Sequence, residues 1–257
     1  MKTAKSVTDI YAFRNPASIQ LIRTGIALAV LFLLLLCRAQ TIPAQNPKAA
    51  EKHHKQGLHY YEQEQYADAL QAFNQALQLD SQFTQALNNK GNVFFRMGQP
   101  DKALYWYDEA IKTDSSFSTA FFNKGYLLIQ KGENANALFN FNRAVSINPD
   151  NASTWSHIGW IKYRMMMYKE AEKEQTKALN IYSDYPLALY RRGKTRVKLM
   201  KFLQAENDFT KCIALSNYAP SYYERDHLKT LENQTQLAIK DLRNAIEQKP
   251  RYLKAYL

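Results

Sequence analysis

From residue 50 onward, apolar and polar positions follow helical spacing, and the pattern repeats. Within 84–117, ALNNKGNVFFRMG carries one apolar stripe, GQPD turns the chain, and DKALYWYDEAIKTD carries a second stripe. Pro100 falls just after that turn, where a first helical position tolerates a missing N–H. The junctions LDSQ, TDSS, NPDN and YSDY supply Asp, Ser and Asn as stop and cap signals. Glycines recur every 34 residues at Gly57, Gly91, Gly125, Gly159 and Gly193, and alanines at Ala69, Ala103, Ala137, Ala171 and Ala205. A second small-residue column runs through Ala76, Ala110, Ala144, Ala178 and Cys212. Between them lies an aromatic column, Phe73, Tyr107, Phe141 and Phe209, broken by Gln175. A fixed period of this length is the signature of a helical solenoid. The glycines and alanines are expected where two helix backbones approach closely.

A 34-residue helix–turn–helix with these Gly, Ala, aromatic and Ala columns resembles the tetratricopeptide repeat. The resemblance implies an all-α, right-handed superhelical α-solenoid of about six units: 50–83, 84–117, 118–151, 152–185, 186–219 and 220–252. The sixth is one residue short, since Ala238 and Ala245 follow Ala205 and Cys212 by 33, and it has Asp226–His227 where glycine is expected. Residues 40–49 read as a linker, and 253–257 as the start of an incomplete further helix. Solenoid ends normally need a polar cap, and without one the last unit offers either a sufficient stub or an edge for docking and self-association.

The resemblance also implies a concave groove lined by the first helix of each unit, a surface that commonly holds extended peptides. Positions two before, one after and five after each glycine fall on one face of that helix. They are Asn89, Asn92 and Arg96 in unit two, and Asn123, Tyr126 and Gln130 in unit three. Unit four contributes His157, Trp160 and Arg164, and unit five Arg191, Lys194 and Lys198. The predicted groove begins with amides, passes through aromatics and ends cationic. Asn89 and Asn123 resemble the asparagine with which some superhelical members hold a peptide backbone, and an amide both donates and accepts. Asn123, Tyr126 and Trp160 are expected to contact a partner's backbone and side chains, and Arg191, Lys194 and Lys198 its carboxylates.

The stretch RRGKTRVKLMK (191–201) concentrates six basic residues. Arg192 and Arg196 fall in phases that pack inside the repeat, where an unpaired charge is costly. The preceding helix offers Glu170, Glu172 and Glu174, so ion pairs across that junction are expected.

Net charge, +11 over 257 residues, is regional. Residues 40–185 hold 15 basic and 15 acidic residues, whereas 186–257 hold 14 and 7. Nucleic-acid binding would need cations spread along the whole track, so it is not expected. Residues 1–39 read as a secretory signal: a basic leader to Arg23, the apolar run TGIALAVLFLLLLC (24–37), and small residues Cys37 and Ala39 before a cleavage point. An uncleaved anchor, associating with membrane through residues 20–37, is the alternative. Both place the remainder outside the cytoplasm, which in a bacterium is the periplasm or cell envelope.

No phosphate loop, metalloprotease helix or framed nucleophile is present, so no enzyme activity or cofactor is expected. His54 and His59 are five apart, which does not align two metal ligands on a helix face. Cys212 stands in a packing column as an inert thiol. Met165–Met166–Met167, at the turn of unit four, is a candidate adaptable contact. The sequence thus points to a non-catalytic interaction scaffold that binds a peptide segment, acidic in character. The alternative is a module docking on anionic membrane or self-assembling through its C-terminal edge.

Overall fold

A computed structural model of the protein describes Gln20, residues 46–231 and residues 235–251. The signal-like leader and the apolar C-terminal stub YLKAYL lie outside the described residues. Among the described residues are twelve helices, in six pairs. They are α1 (Pro47–Glu62), α2 (Tyr66–Leu79), α3 (Thr84–Arg96), α4 (Pro100–Thr113), α5 (Ser118–Gln130), α6 (Asn134–Ile147), α7 (Ala152–Arg164), α8 (Tyr168–Ile181), α9 (Pro186–Lys198), α10 (Phe202–Ser216), α11 (Ala219–Leu231) and α12 (Thr235–Gln248). None is long and apolar enough to cross a membrane. The first helix begins at Pro47, inside the segment read as linker, with Asn46 accepting a hydrogen bond from the Ala49 N–H.

Each helix packs on its pair mate and on the next pair, and first helices also touch one another, as α1 with α3, α3 with α5 and α7 with α9. First helices therefore line the inner side of the stack, and second helices the outer. The alanine column is sealed, with Ala69, Ala103, Ala137, Ala171 and Ala205 all at 0% exposure.

The glycine column has a cause different from the one expected. A Cβ on Gly57 would stand 2.5 Å from the Phe73 ring, one on Gly91 2.5 Å from Tyr107, and one on Gly193 2.5 Å from Phe209. The glycines make room for an aromatic ring rather than for a neighbouring backbone, which explains why the two columns travel together. In unit four the ring is replaced by Gln175, whose Cγ would lie 2.6 Å from a Cβ on Gly159. Gln175 is fully buried, and neither its amide oxygen nor its nitrogen finds a hydrogen-bond partner among the described residues.

The turns inside the first five pairs are built alike. The N–H groups of Gln65, Gln99, Glu133, Met167 and Lys201 return to carbonyls five residues back, closing the first helix in a Schellman motif. The residue before each is left-handed: Glu64, Gly98, Gly132, Met166 and Met200, with φ between 57° and 81°. Glycine occupies this position only in units two and three.

The missing residue of unit six lies between α10 and α11. There α10 runs one residue longer than in the preceding units, Asn217 turns left-handed at φ 47°, and the four-residue junction shrinks to two. At three of the four other junctions Asp80, Asp114 and Asn148 accept a hydrogen bond from the N–H two residues on, which stops the second helix.

Candidate partner-binding face

The inner-face columns hold side chains that are bonded to one another from unit to unit. Asn89 donates to His54 Nε2 at 2.9 Å and accepts from Asn92 at 3.1 Å and Asn88 at 3.3 Å. Asn123 donates to Asn88 Oδ1 at 2.9 Å and Asn92 Oδ1 at 3.1 Å, and the Tyr107 hydroxyl adds a third anchor to Asn92 at 2.9 Å. Four amides from two units, held by His54 and Tyr107, therefore form one network with fixed orientations. Among the described residues the Asn123 Oδ1 accepts no hydrogen bond, so it remains an acceptor for an incoming N–H.

The aromatics continue the row. Tyr126, 37% exposed, stands edge-on to Phe95 and His157 at 5.9 and 5.8 Å between centroids. Trp160 stacks on Tyr163 at 5.0 Å and 7°. The Arg191 guanidinium lies 5.6 Å from the Trp160 ring centroid and donates to Ser156 Oγ at 3.0 Å. Offset rings and a guanidinium over indole are favourable arrangements, and they pre-order this segment.

Three of the predicted contacts are corrected by this geometry. His157 is buried among Phe122, Tyr126 and Phe141, with its Nδ1–H donating to the Ser153 carbonyl at 2.8 Å. Burial, aided by the Arg191 charge, pushes its pKa down to about 4, so it is a neutral packing residue. Arg191 is drawn into the junction between α7 and α9, and burial lowers its pKa. Lys194 is claimed by Glu224 of unit six at 2.8 Å. Of the three cations expected to meet a partner, Lys198 alone is exposed. Arg164 is exposed too, while Arg96 reaches Glu64 and Tyr66. Among the described residues neither Arg164 nor Lys198 makes an ion pair.

Two other cations of the basic stretch, Arg192 and Arg196, turn inward. Arg196 pairs with Glu172 at 3.0 Å, as expected, but Arg192 turns forward and grips Asp208 of α10 through two nitrogens at 2.7 and 3.0 Å. Glu174 pairs instead with Lys162 and Lys177, and Glu170 is exposed. Arg192 departs from the expected junction because the first helix of a unit packs most closely on its own second helix.

Ser156, Tyr163 and Asn88 also belong to this face, outside the three columns, and Glu224 carries the first column into unit six. Asn88 and Ser156 share the position three before the glycine, and Tyr163 stands four after it; both positions border the chosen stripe. His54 and His59 diverge, one to Asn89 and the other to Gln63. Cys212 is fully buried beneath Ser221, and burial raises its pKa. Met165, Met166 and Met167 are all exposed.

A stack of helix pairs with an ordered inner face defines a helical-repeat scaffold of the kind that holds other proteins. The chain is a tetratricopeptide-repeat protein: family models described as tetratricopeptide repeat match residues 54–118 and 118–151. No curated protein matches the sequence. Solved structures match over most of their length. PilF of Pseudomonas aeruginosa aligns with TM-score 0.74 and 17% identity over 81% of this chain and 96% of that one. PilW, described as a widely conserved type IV pilus biogenesis factor, aligns at 0.71 and 15% over 80% and 96%. YrrB, described as a TPR protein with an unusual peptide-binding site, aligns at 0.60 and 20% over 72% and 96%. At these identities the likeness is one of fold.

Proposed function

We propose that the protein is a non-catalytic scaffold that holds an extended peptide segment of a partner along the inner face of units two to five. The observation that carries this reading is the amide network ending in the open Asn123 carbonyl, with the rings of Tyr126, Trp160 and Tyr163 on the first helices that follow. Amides matched to main-chain groups accept any sequence, and rigid rings add contact area at low entropic cost. Arg164 and Lys198, free on the same side, favour acidic residues in the segment. The basic leader and apolar run of residues 1–39 support a location outside the cytoplasm.

Peptides displayed from a random library and selected on the full chain test this. Asn123→Ala and Trp160→Ala should each weaken the selected peptides about tenfold or more without lowering the melting temperature. Arg164→Glu with Lys198→Glu should abolish the enrichment in Asp and Glu. Selected peptides that bind all these variants as tightly as the parent would overturn the reading.

A further inference from the structure

One column of the repeat carries a cation through most units, at the position directly before the glycine: Lys90, Lys124, Arg192 and Arg225, with Ile158 in unit four. Each side chain points toward the second helices, where two positions face it. The first lies on the second helix of its own unit (Trp106, Asn140, Asp208, Asp241), the other on that of the preceding unit (Asn74, Asp108, Thr176, Thr210). Lys124 is answered by Asp108. Arg192 is answered by Asp208, with Thr176 accepting from it, and Arg225 by Asp241, with Thr210 accepting. Lys90 meets Trp106 on one side, with Asn74 at the other position, and neither is a carboxylate.

Lys90 is nevertheless 6% exposed, with Nζ 3.3 Å from the Trp106 ring centroid, and it makes no ion pair among the described residues. Ring attraction offsets only part of the cost of burying an ammonium. Burial alone lowers its pKa to about 8, so at neutral pH the group is still mostly charged. It lines an open groove on the outer face of units one and two with Asn74, Leu77, Gln78, Leu87 and Trp106. The same groove one unit later contains Lys124 together with Asp108, so there the counter-charge is built in.

We infer that the groove between α2, α3 and α4 is a carboxylate-binding site, in which a ligand supplies to Lys90 the negative charge that Asp108 supplies to Lys124. Trp106, Leu77 and Leu87 offer apolar surface for the group bearing the carboxylate. Asn74 and Gln78 at the rim supply amide donors. The site is on the opposite side of the stack from the amide network, so it is independent of the peptide groove. The carboxylate belongs either to a small aryl or alkyl acid or to the end of a polypeptide, and both present the same chemistry to Lys90.

Phenylacetate, a hexapeptide ending in a free C-terminal carboxylate, and its amidated twin would be titrated into the full chain. Tryptophan fluorescence and the thermal midpoint follow binding. The wild type should respond saturably to phenylacetate, to the free-acid peptide, or to both, and at least about tenfold more weakly to the amide. A response to the peptide alone assigns the carboxylate to a protein partner; a response to phenylacetate assigns it to small acids. Lys90→Met, which keeps the stem and removes the charge, should abolish the response. Asn74→Asp, which places in the first groove the carboxylate of the second, should also abolish it and raise the midpoint in the absence of ligand. Equal binding by Lys90→Met, or no saturable response to either acid, overturns the assignment.

Discussion

Arg192 and Asp208, sixteen residues apart, face each other across the α9–α10 pair and make two charge-assisted hydrogen bonds at 2.7 and 3.0 Å. Arg196 adds a third to the same carboxylate at 2.8 Å. The arrangement recurs one unit later, where Arg225 holds Asp241 at 2.7 and 2.9 Å and Lys229 adds 2.8 Å. Asp208 and Asp241 are almost completely buried. Unit four has a reduced form, Lys162 with Glu174, and at the same positions units one and two carry Ala72 and Trp106. The interior of the repeat thus changes from apolar to ionic along the chain.

Removing one member of such a cluster leaves the others buried and unpaired. Asp208→Ala should destabilise the fold by about 3–5 kcal/mol, and Arg192→Glu should be at least as damaging. Replacing all three as Arg192→Met, Arg196→Met and Asp208→Leu should come within about 1–2 kcal/mol of the parent, since the desolvation penalty goes with the charges. Urea unfolding of the single and triple variants separates the two cases. A single variant as stable as the parent would remove this account.

His157 makes stability depend on pH in a defined window. Its folded pKa of about 4 lies below the unfolded value of about 6.5, so its contribution is complete above pH 6.5 and is lost as pH falls toward 4. The loss from this residue should total about 2–3 kcal/mol. His157→Asn, which installs the residue found at Asn89 and Asn123, should flatten the curve between pH 6.5 and 4. Burial also lowers the His54 pKa, so this residue too favours the folded state less as pH falls below its unfolded value. For Glu172 and Glu174, burial pushes the pKa up, but hydrogen bonds and charges from Lys201 and Arg196, and from Lys177 and Lys162, outweigh it and hold both below the usual range. Their contribution is present above about pH 4 and is lost at lower pH, after the histidine has titrated. Parallel unfolding curves for parent and His157→Asn would show the histidine to be silent.

Gln175 buries two polar atoms without partners where the other units place a ring or an equivalent apolar group. Gln175→Met, nearly the same in shape, should stabilise the fold by about 1–3 kcal/mol by removing the unmet hydrogen-bonding demand. Thermal and urea midpoints report this directly. A loss of stability would mean that the amide is satisfied in solution.

Met166 and Met200 stand left-handed in exposed turns where Gly98 and Gly132 serve in other units. A side chain at positive φ costs about 1–2 kcal/mol, part of which glycine returns through its looser unfolded chain. Met166→Gly and Met200→Gly should therefore each gain about 0.5–1 kcal/mol. Being far apart, the two gains should add in the double variant. No gain in either would place the turn's strain elsewhere.

Much of the architecture was legible because the repeat encodes it locally. Gly91 and Tyr107, Gly193 and Phe209, and the sealed alanines recur with a period that only a stack of helix pairs satisfies. The shortened sixth unit was visible in the 33-residue offsets of Ala238 and Ala245. The polar contacts were less legible. Phase assigned Asn123, Tyr126, Trp160 and Lys198 to the same stripe as Arg191, His157 and Lys194, and it could not tell the exposed from the buried among them. Helical phase says which side of a helix a residue occupies and nothing about what its neighbour on the next helix offers.

By itself the sequence determined that the chain is a stack of helix pairs, which residues seal it and which face turns inward. Those properties follow from the size and polarity of residues at a fixed spacing. Only the tertiary structure decided which charges are spent inside the protein and which are left for a partner. Asp208 meets Arg192 and Glu224 meets Lys194, while Lys90 finds no carboxylate among the described residues. The reason is reach: a long cationic side chain can turn toward its own unit, the preceding one or the next, and its choice depends on which carboxylate packing brings within about 3 Å.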